Sequence, residues 1–469
     1  MTTAQETTED CLHLNVWAPL SSNGAVYPNG TLAVMVFIHG GGFIFGSATT
    51  NLYDGTKLSL NTQTVVVTLN YRLGVLGFFR SDVDGPMGNM GLMDQVMALK
   101  WVQSNVARFG GDKNRVTVFG ESAGSASINY LMMSPVSENL FQKVILQSGV
   151  ATNDWAFVEP KEAEKAALAL ANSVGCEAEE MYPHTIDCLR SKEASALVKA
   201  QNVLQKQQSL SFGPTTDTVF FNFNSLDEAV EREVAKSKSE AKEVMIGFNR
   251  DEGTLGIAFS GMPQFGPGVK KEDPMTCSFF DGLVRSAVPE AETNFVMDRI
   301  RSHYHTGTNE GFIGIRTDLS FRCEIAEMAM KLGKNRPVHT YVWDVALAWV
   351  EKVYPYVDAA HALELIPLWG RPFANTTMYT NEERELAKKM QRIWGRFANE
   401  SSLGESPFDQ PVSPGQAFVI EKGDGPKPLE NIDMEKCEFL ECLPSLAQFA
   451  SKGFMDDPKC MEFAAAPRS

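Results

Sequence analysis

Residues 115–132, RVTVFGESAGSASINYLM, decide how the chain is read. The β-branched and aromatic run at 115–119 suits a strand, and 125–132 suits a helix. Between them lies Gly120-Glu121-Ser122-Ala123-Gly124. A strand that runs through a tight turn into a helix lifts a serine hydroxyl above the sheet edge. Small residues around it permit the strained backbone and the close approach of the helix. The five-residue pattern alone says little, since about 0.2 matches arise by chance at this Gly and Ser content. Its place between a strand and a helix makes Ser122 the candidate nucleophile.

Outward from this turn the chain alternates strands with helices. VMVFI (34–38) and TVVVTL (64–69) are unbroken apolar or β-branched runs, as expected of strands buried on both faces of a parallel sheet. In 91–109, Leu92, Val96, Leu99, Val102, Val106 and Phe109 share one helical face. GGDKNR then reads as a turn into the 115–119 strand, and further strands are expected at 143–147 (KVILQ), 244–248 (VMIGF) and 339–345 (HTYVWDV). The alternation predicts an open α/β sheet with its ligands at the C-terminal strand ends. Charge-rich stretches at 159–166, 227–243 and 381–392 read as helices added over that face. No repeat or low-complexity linker interrupts residues 1–469, which read as one elaborated catalytic domain.

The strand VMVFI ends in His39-Gly40-Gly41-Gly42-Phe43. A glycine run there can aim the amides of Gly41 and Gly42 at one point, joined by that of Ala123, the residue after the serine. Each such donor to a developing oxyanion is worth about 3 kcal/mol. The serine also needs a base and an acid, in the chain order Ser, acid, His. Of seven histidines, His13 and His39 precede the serine, and His184 lies in a helix-rich insertion. His303 and His305 sit in a polar segment that reads as solvated, and His339 opens a strand. His361, in the small-residue loop DAAHALEL, is the best placed by position. Asp251, Glu252 and Asp154 all remain open as the acid, because spacing does not choose among them.

Composition narrows the function classes. Hydrophobic residues make up 43% and charged residues 21%, ordinary for a globular chain. A formal net charge of −16 argues against nucleic acid as a partner. It is equally compatible with solubility and with steering of cationic ligands. No apolar run approaches the roughly 20 residues of a membrane span, and the polar start MTTAQETTEDC shows no signal peptide. Eight cysteines without CxxC spacing suggest neither a disulfide scaffold nor a metal site. Asn-X-Ser/Thr triplets at Asn29, Asn375 and Asn399 match the number of about three expected by chance.

EDCLHLNVW (9–17), HGGGF (39–43), NYRLGVLGF (70–78), GNMGLMDQVMALKWVQSNVARFGGD (88–112), VTVFGESAGSAS (116–127), LQSG (146–149), NRDEG (249–253) and HALEL (361–365) together resemble the type-B carboxylesterase and cholinesterase family. The resemblance covers nearly the whole chain. It implies an α/β-hydrolase fold and a serine hydrolase of carboxylic esters working through an acyl-enzyme. Ser122 would be nucleophile, Glu252 acid and His361 base, with Gly41, Gly42 and Ala123 as oxyanion donors and no metal or organic cofactor. It implies Glu121 and an acyl-pocket loop at 208–217, with Gln208, Leu210 and Phe212, as substrate contacts. A pocket so lined should take acyl groups larger than acetyl. It also implies disulfides Cys176–Cys188 and Cys323–Cys437 and an extracellular setting. The segment that family members carry before EDCL is missing here, which predicts an unpaired Cys11 beside an apolar strip of Leu12, Leu14, Val16 and Trp17. Non-catalytic adhesion proteins of the neuroligin kind resemble the same family but usually lack a triad member, whereas all three are present here; an inactive esterase fragment is the other alternative. The oligomeric state is open.

Overall fold

A computed structural model describes residues 7–83, 88–176, 178–208, 210–236, 242–255, 270, 298, 300, 302–304, 308–400, 411–423 and 429–441. Among them, nine strands form a mostly parallel sheet. The chain packs as two compact units. One comprises Met1–Met245, Leu332–Val338 and Met390–Gly404, the other Ile246–Lys331, His339–Lys389 and Glu405–Ser469.

In the first unit the strands are β1 (Leu14–Trp17), β2 (Leu32–Ile38), β3 (Val65–Leu69), β4 (Gly111–Glu121) and β5 (Lys143–Gln147), ordered β1-β3-β2-β4-β5. β1 is antiparallel to β3, while β2, β3, β4 and β5 pair in parallel. Parallel neighbours need crossovers, and the helices Thr56–Thr62, Met90–Asn105 and Ala123–Met133 supply them. β2, β3 and β5 are buried along their whole length, which is why their sequences do not alternate. The predicted helical face at 91–109 is buried from Leu92 to Val106. Phe109 is only half-buried, tilted against Trp101 in a short 3₁₀ turn.

The GGDKNR turn lies inside β4, which already begins at Gly111. Leu32 pairs with Gly111 and Val34 with Val116, so residues 112–115 bulge out of the ladder. Within the bulge the Asn114 N–H donates to Asp112 Oδ1 at 2.9 Å.

The second unit carries most of β6 (Glu243–Asn249) and β7 (Val338–Trp343), with β8 (Gln416–Ile420) and β9 (Glu430–Asn431). β7 and β8 are parallel, and β9 closes antiparallel on β8. His339 is buried in β7. His303 is half-buried with its ring 5.6 Å from that of Phe439, so the expectation of a solvated side chain fails there. His305 lies outside the described residues.

Cys176 is bonded to Cys188 and Cys323 to Cys437. Cross-links of these separations, 12 and 114 residues, restrict the unfolded chain by about 3 and about 5 kcal/mol in the loop-entropy account. Cys11 is a free, half-buried thiol, and burial raises its pKa. Leu12 beside it is exposed and all of β1 is half-buried. Cys277, Cys442 and Cys460 lie outside the described residues.

No described helix is long and apolar enough to cross a membrane. The described residues hold no cluster of three or more His, Cys, Asp or Glu that could bind a metal ion.

Candidate active site

β4 ends at Glu121 and a helix begins at Ala123, so Ser122 alone turns the chain. Its backbone lies at φ 58°, ψ −125°, a conformation that costs a non-glycine residue about 1–3 kcal/mol. Neighbours hold it there. The Ser122 N–H donates to Gln147 O at 2.8 Å, and the Ala126 N–H donates to Ser122 O at 2.9 Å. A Cβ on Gly124 would sit 2.0 Å from Ile38 O, and one on Gly120 2.7 Å from the same oxygen. Both glycines of the pentapeptide are thus required by the contact of the turn with the end of β2. Ala123 is the first helical residue. Its N–H is among the first-turn donors that find no acceptor within a helix, at the positive end of the helix dipole.

The end of β2 carries the glycine run. A Cβ on Gly40 would lie 2.9 Å from Ser122 Cβ and 2.8 Å from Glu121 Oε2, so this backbone rests directly on the serine turn. Positive φ follows at Gly41 (115°), Gly42 (59°) and Phe43 (63°). Gly41 O accepts from the Ile44 and Phe45 N–H groups, both at 3.1 Å. His39 is buried, and desolvation lowers its pKa to about 4. The neutral ring therefore donates from Nδ1 to Gly40 O at 2.8 Å. Tyr71 stacks on it and donates its hydroxyl to His39 O at 2.8 Å; burial pushes that phenol well above its ordinary pKa. The Gly74 N–H donates to Phe43 O at 2.7 Å and ties the far end of the loop.

In the second unit β6 ends at Asn249 and runs into Arg250-Asp251-Glu252-Gly253. Glu252 is fully buried. Its Oε1 accepts the Asn249 N–H at 2.7 Å, and its Oε2 lies 2.6 Å from His361 Nδ1. A carboxylate oxygen accepts across this contact and the ring Nδ1 donates. Phe321 sets its ring 4.8 Å from the imidazole. Asn249 Nδ2 donates to Ala360 O and to Glu364 Oε2, both at 2.7 Å. The Asp251 N–H donates to Ala359 O at 3.0 Å, and the Gly253 N–H to Thr317 Oγ1 at 2.9 Å. Glu252, not its half-buried neighbour Asp251, faces the histidine, and Asp154 is exposed.

Residues 1–435 match the model of the carboxylesterase family. The chain belongs to that family. It is 32% identical over 409 residues to a cholinesterase of Mus musculus and 33% identical over 409 residues to an acetylcholinesterase of Bungarus fasciatus. Each alignment covers 83% of this chain and 64% of the relative, so the chain spans just under two thirds of either protein's length.

Within this family frame the remaining candidates fall in different surroundings. Glu121 is buried, with Oε2 under the Gly40 backbone. Leu210 and Phe212 are both buried. Gln208 ends the helix Ala194–Gln208, and its side chain lies outside the described residues. Five supporting residues carry no local signal of their role: His39, Tyr71, Asn249, Thr317 and Glu364. His39 and Tyr71 stand inside motifs already noted, HGGGF and NYRLG, but nothing local says that their side chains lock a loop. Asn249 and Glu364 likewise flank Glu252 and His361, yet 115 residues separate the two hydrogen-bonded partners.

Proposed function

We propose that this chain is a serine hydrolase of carboxylic esters. Ser122 attacks the ester carbonyl while His361 takes its proton, and Glu252 holds the imidazole tautomer and stabilises the imidazolium. The amides of Gly41, Gly42 and Ala123 receive the developing oxyanion. The alcohol leaves with a proton from His361. Water activated by the same base then releases the acid from the acyl-serine. The observation that carries the reading is the strained Ser122 backbone at the head of a helix, with Gly40 packed against its Cβ. A purely structural serine has no reason to occupy such a conformation.

The test is covalent. An organophosphate, which reacts quickly only with an activated serine, should label Ser122 and abolish hydrolysis of p-nitrophenyl esters. An adduct mapped to another residue would overturn the assignment.

Leu210, Phe212 and Gln208 are assigned to the acyl side of the substrate and Glu121 to the wall beneath it. Gln208 and Leu210 are not aromatic, and on the reading that they leave the pocket wide, butyryl esters should turn over at least as well as acetyl esters. A strong preference for acetyl in the same assay would refute this part. Two closed disulfides support an extracellular or luminal setting.

A further inference from the structure

The three Asn-X-Ser/Thr triplets take no part in ester chemistry, and their asparagines sit in three different environments. Asn399 is half-buried in the helix Asn381–Glu400, and its Nδ2 donates to Thr62 O at 3.0 Å and to Gly395 O at 2.9 Å. A sugar on that nitrogen replaces one of its two hydrogens, so one bond must break. The sugar would also have to enter a tight seam, since a Cβ on Gly395 would already lie 2.7 Å from Thr62 Cγ2. Asn29 is exposed, but the Thr31 hydroxyl of its triplet donates elsewhere, to Pro28 O at 2.8 Å.

Asn375 combines exposure with local chemistry. Residues 374–378 are all exposed. Asn375 Oδ1 accepts from Thr377 Oγ1 at 2.8 Å, from the Met378 N–H at 3.0 Å and from the Thr377 N–H at 3.3 Å, while Nδ2 donates to the sulfur of exposed Met378 at 3.9 Å. That sulfur is a weak acceptor, which a sugar displaces more readily than the two carbonyl oxygens that hold Asn399. Three donors on the amide oxygen stabilise negative charge there and so ease loss of a proton from Nδ2. The turn closes within four residues, so it can form on a nascent chain before the tertiary fold exists.

We propose that Asn375 is a site of N-linked glycosylation and that Asn399, despite its triplet, is not. The donor is an oligosaccharide on a lipid pyrophosphate. The Asn375 nitrogen bonds to the anomeric carbon as the bond from that carbon to the pyrophosphate oxygen breaks. The lipid pyrophosphate leaves with the electron pair, and the Nδ2 proton passes to a base of the transferase. Both disulfides suit the oxidising lumen where such donors act.

The experiment expresses the chain behind a cleavable secretion leader in a eukaryotic cell. The secreted protein is treated with peptide-N-glycosidase in ¹⁸O-water, which marks every formerly glycosylated Asn as labelled Asp. Label is expected at Asn375, at higher occupancy than at Asn29, and none at Asn399. Thr377→Ala should remove the Asn375 label while leaving ester hydrolysis and the Asn29 occupancy unchanged. Label at Asn399, an occupancy at Asn29 above that at Asn375, or an unmodified Asn375 in protein with both disulfides closed would each overturn the proposal.

Discussion

The serine turn and the Glu252–His361 pair are built in opposite ways. The turn is made of backbone. Its conformation comes from residues next to one another in sequence, and its tolerances are set by main-chain oxygens such as Ile38 O, 2.0 Å from where a Gly124 Cβ would stand. The pair is made of side chains. Glu252 and His361 are 109 residues apart, and the loops that carry them are held by Asn249, Glu364 and Thr317 rather than by a local motif. Backbone geometry tolerates almost no added volume, whereas a side-chain network tolerates volume but not the loss of a hydrogen-bonding atom.

The largest expected effect treats the two regions alike. Ser122→Ala or His361→Ala should each lower turnover on the order of a million-fold, because such groups act as a unit. A His361→Ala protein that kept most of its activity would separate the regions and end the proposed mechanism. Next comes the contrast inside the side-chain region. Glu252→Gln should lose about 10⁴-fold in turnover by presenting the wrong imidazole tautomer, and Asp251→Asn should change it little. Equal losses in steady-state kinetics would mean that the hydrogen bond seen here does not identify the acid.

Stability tests probe the backbone region. Gly124→Ala forces a Cβ into a carbonyl oxygen and should cost more than about 3 kcal/mol in denaturant unfolding. Gly333→Ala, where nothing lies within 4 Å of the new atom, should stay within about 0.5 kcal/mol of the parent. A tolerated Gly124→Ala would show that the turn is less rigidly held than its contacts imply.

The smallest and most gradual effect is that of pH on the loop clamp. His39 titrates at about 4 when folded, against the ordinary 6.5. Between those values the unfolded chain binds the extra proton, so stability is complete above pH 6.5 and falls as pH drops towards 4. The loss reaches about 3 kcal/mol. Unfolding curves across this window should show the slope in the parent and a flatter one in His39→Gln. An unchanged slope would remove His39 as its cause.

Much of this architecture is legible from residues alone, for reasons that differ by element. VVVTL, VMVFI and KVILQ announce buried parallel strands because both faces are covered. GGDKNR is a turn as its residues suggest, but it is a bulge within β4, because Gly111 pairs with Leu32, 79 residues away and invisible locally. His303 misleads, since polar neighbours in sequence conceal Phe439 in space.

By itself the sequence determined the α/β alternation, the serine turn and the glycine loop, because each depends on the conformational preferences of a few contiguous residues. Only the tertiary structure shows that Glu252, the carboxylate the family resemblance implied, is the one that faces His361. It alone shows that His39 is a buried neutral strut, and that Asn399 is tied by its amide nitrogen into the Thr62 seam while Asn375 is exposed. Those choices rest on burial and on hydrogen bonds between distant residues. Such contacts exist only once the chain has folded.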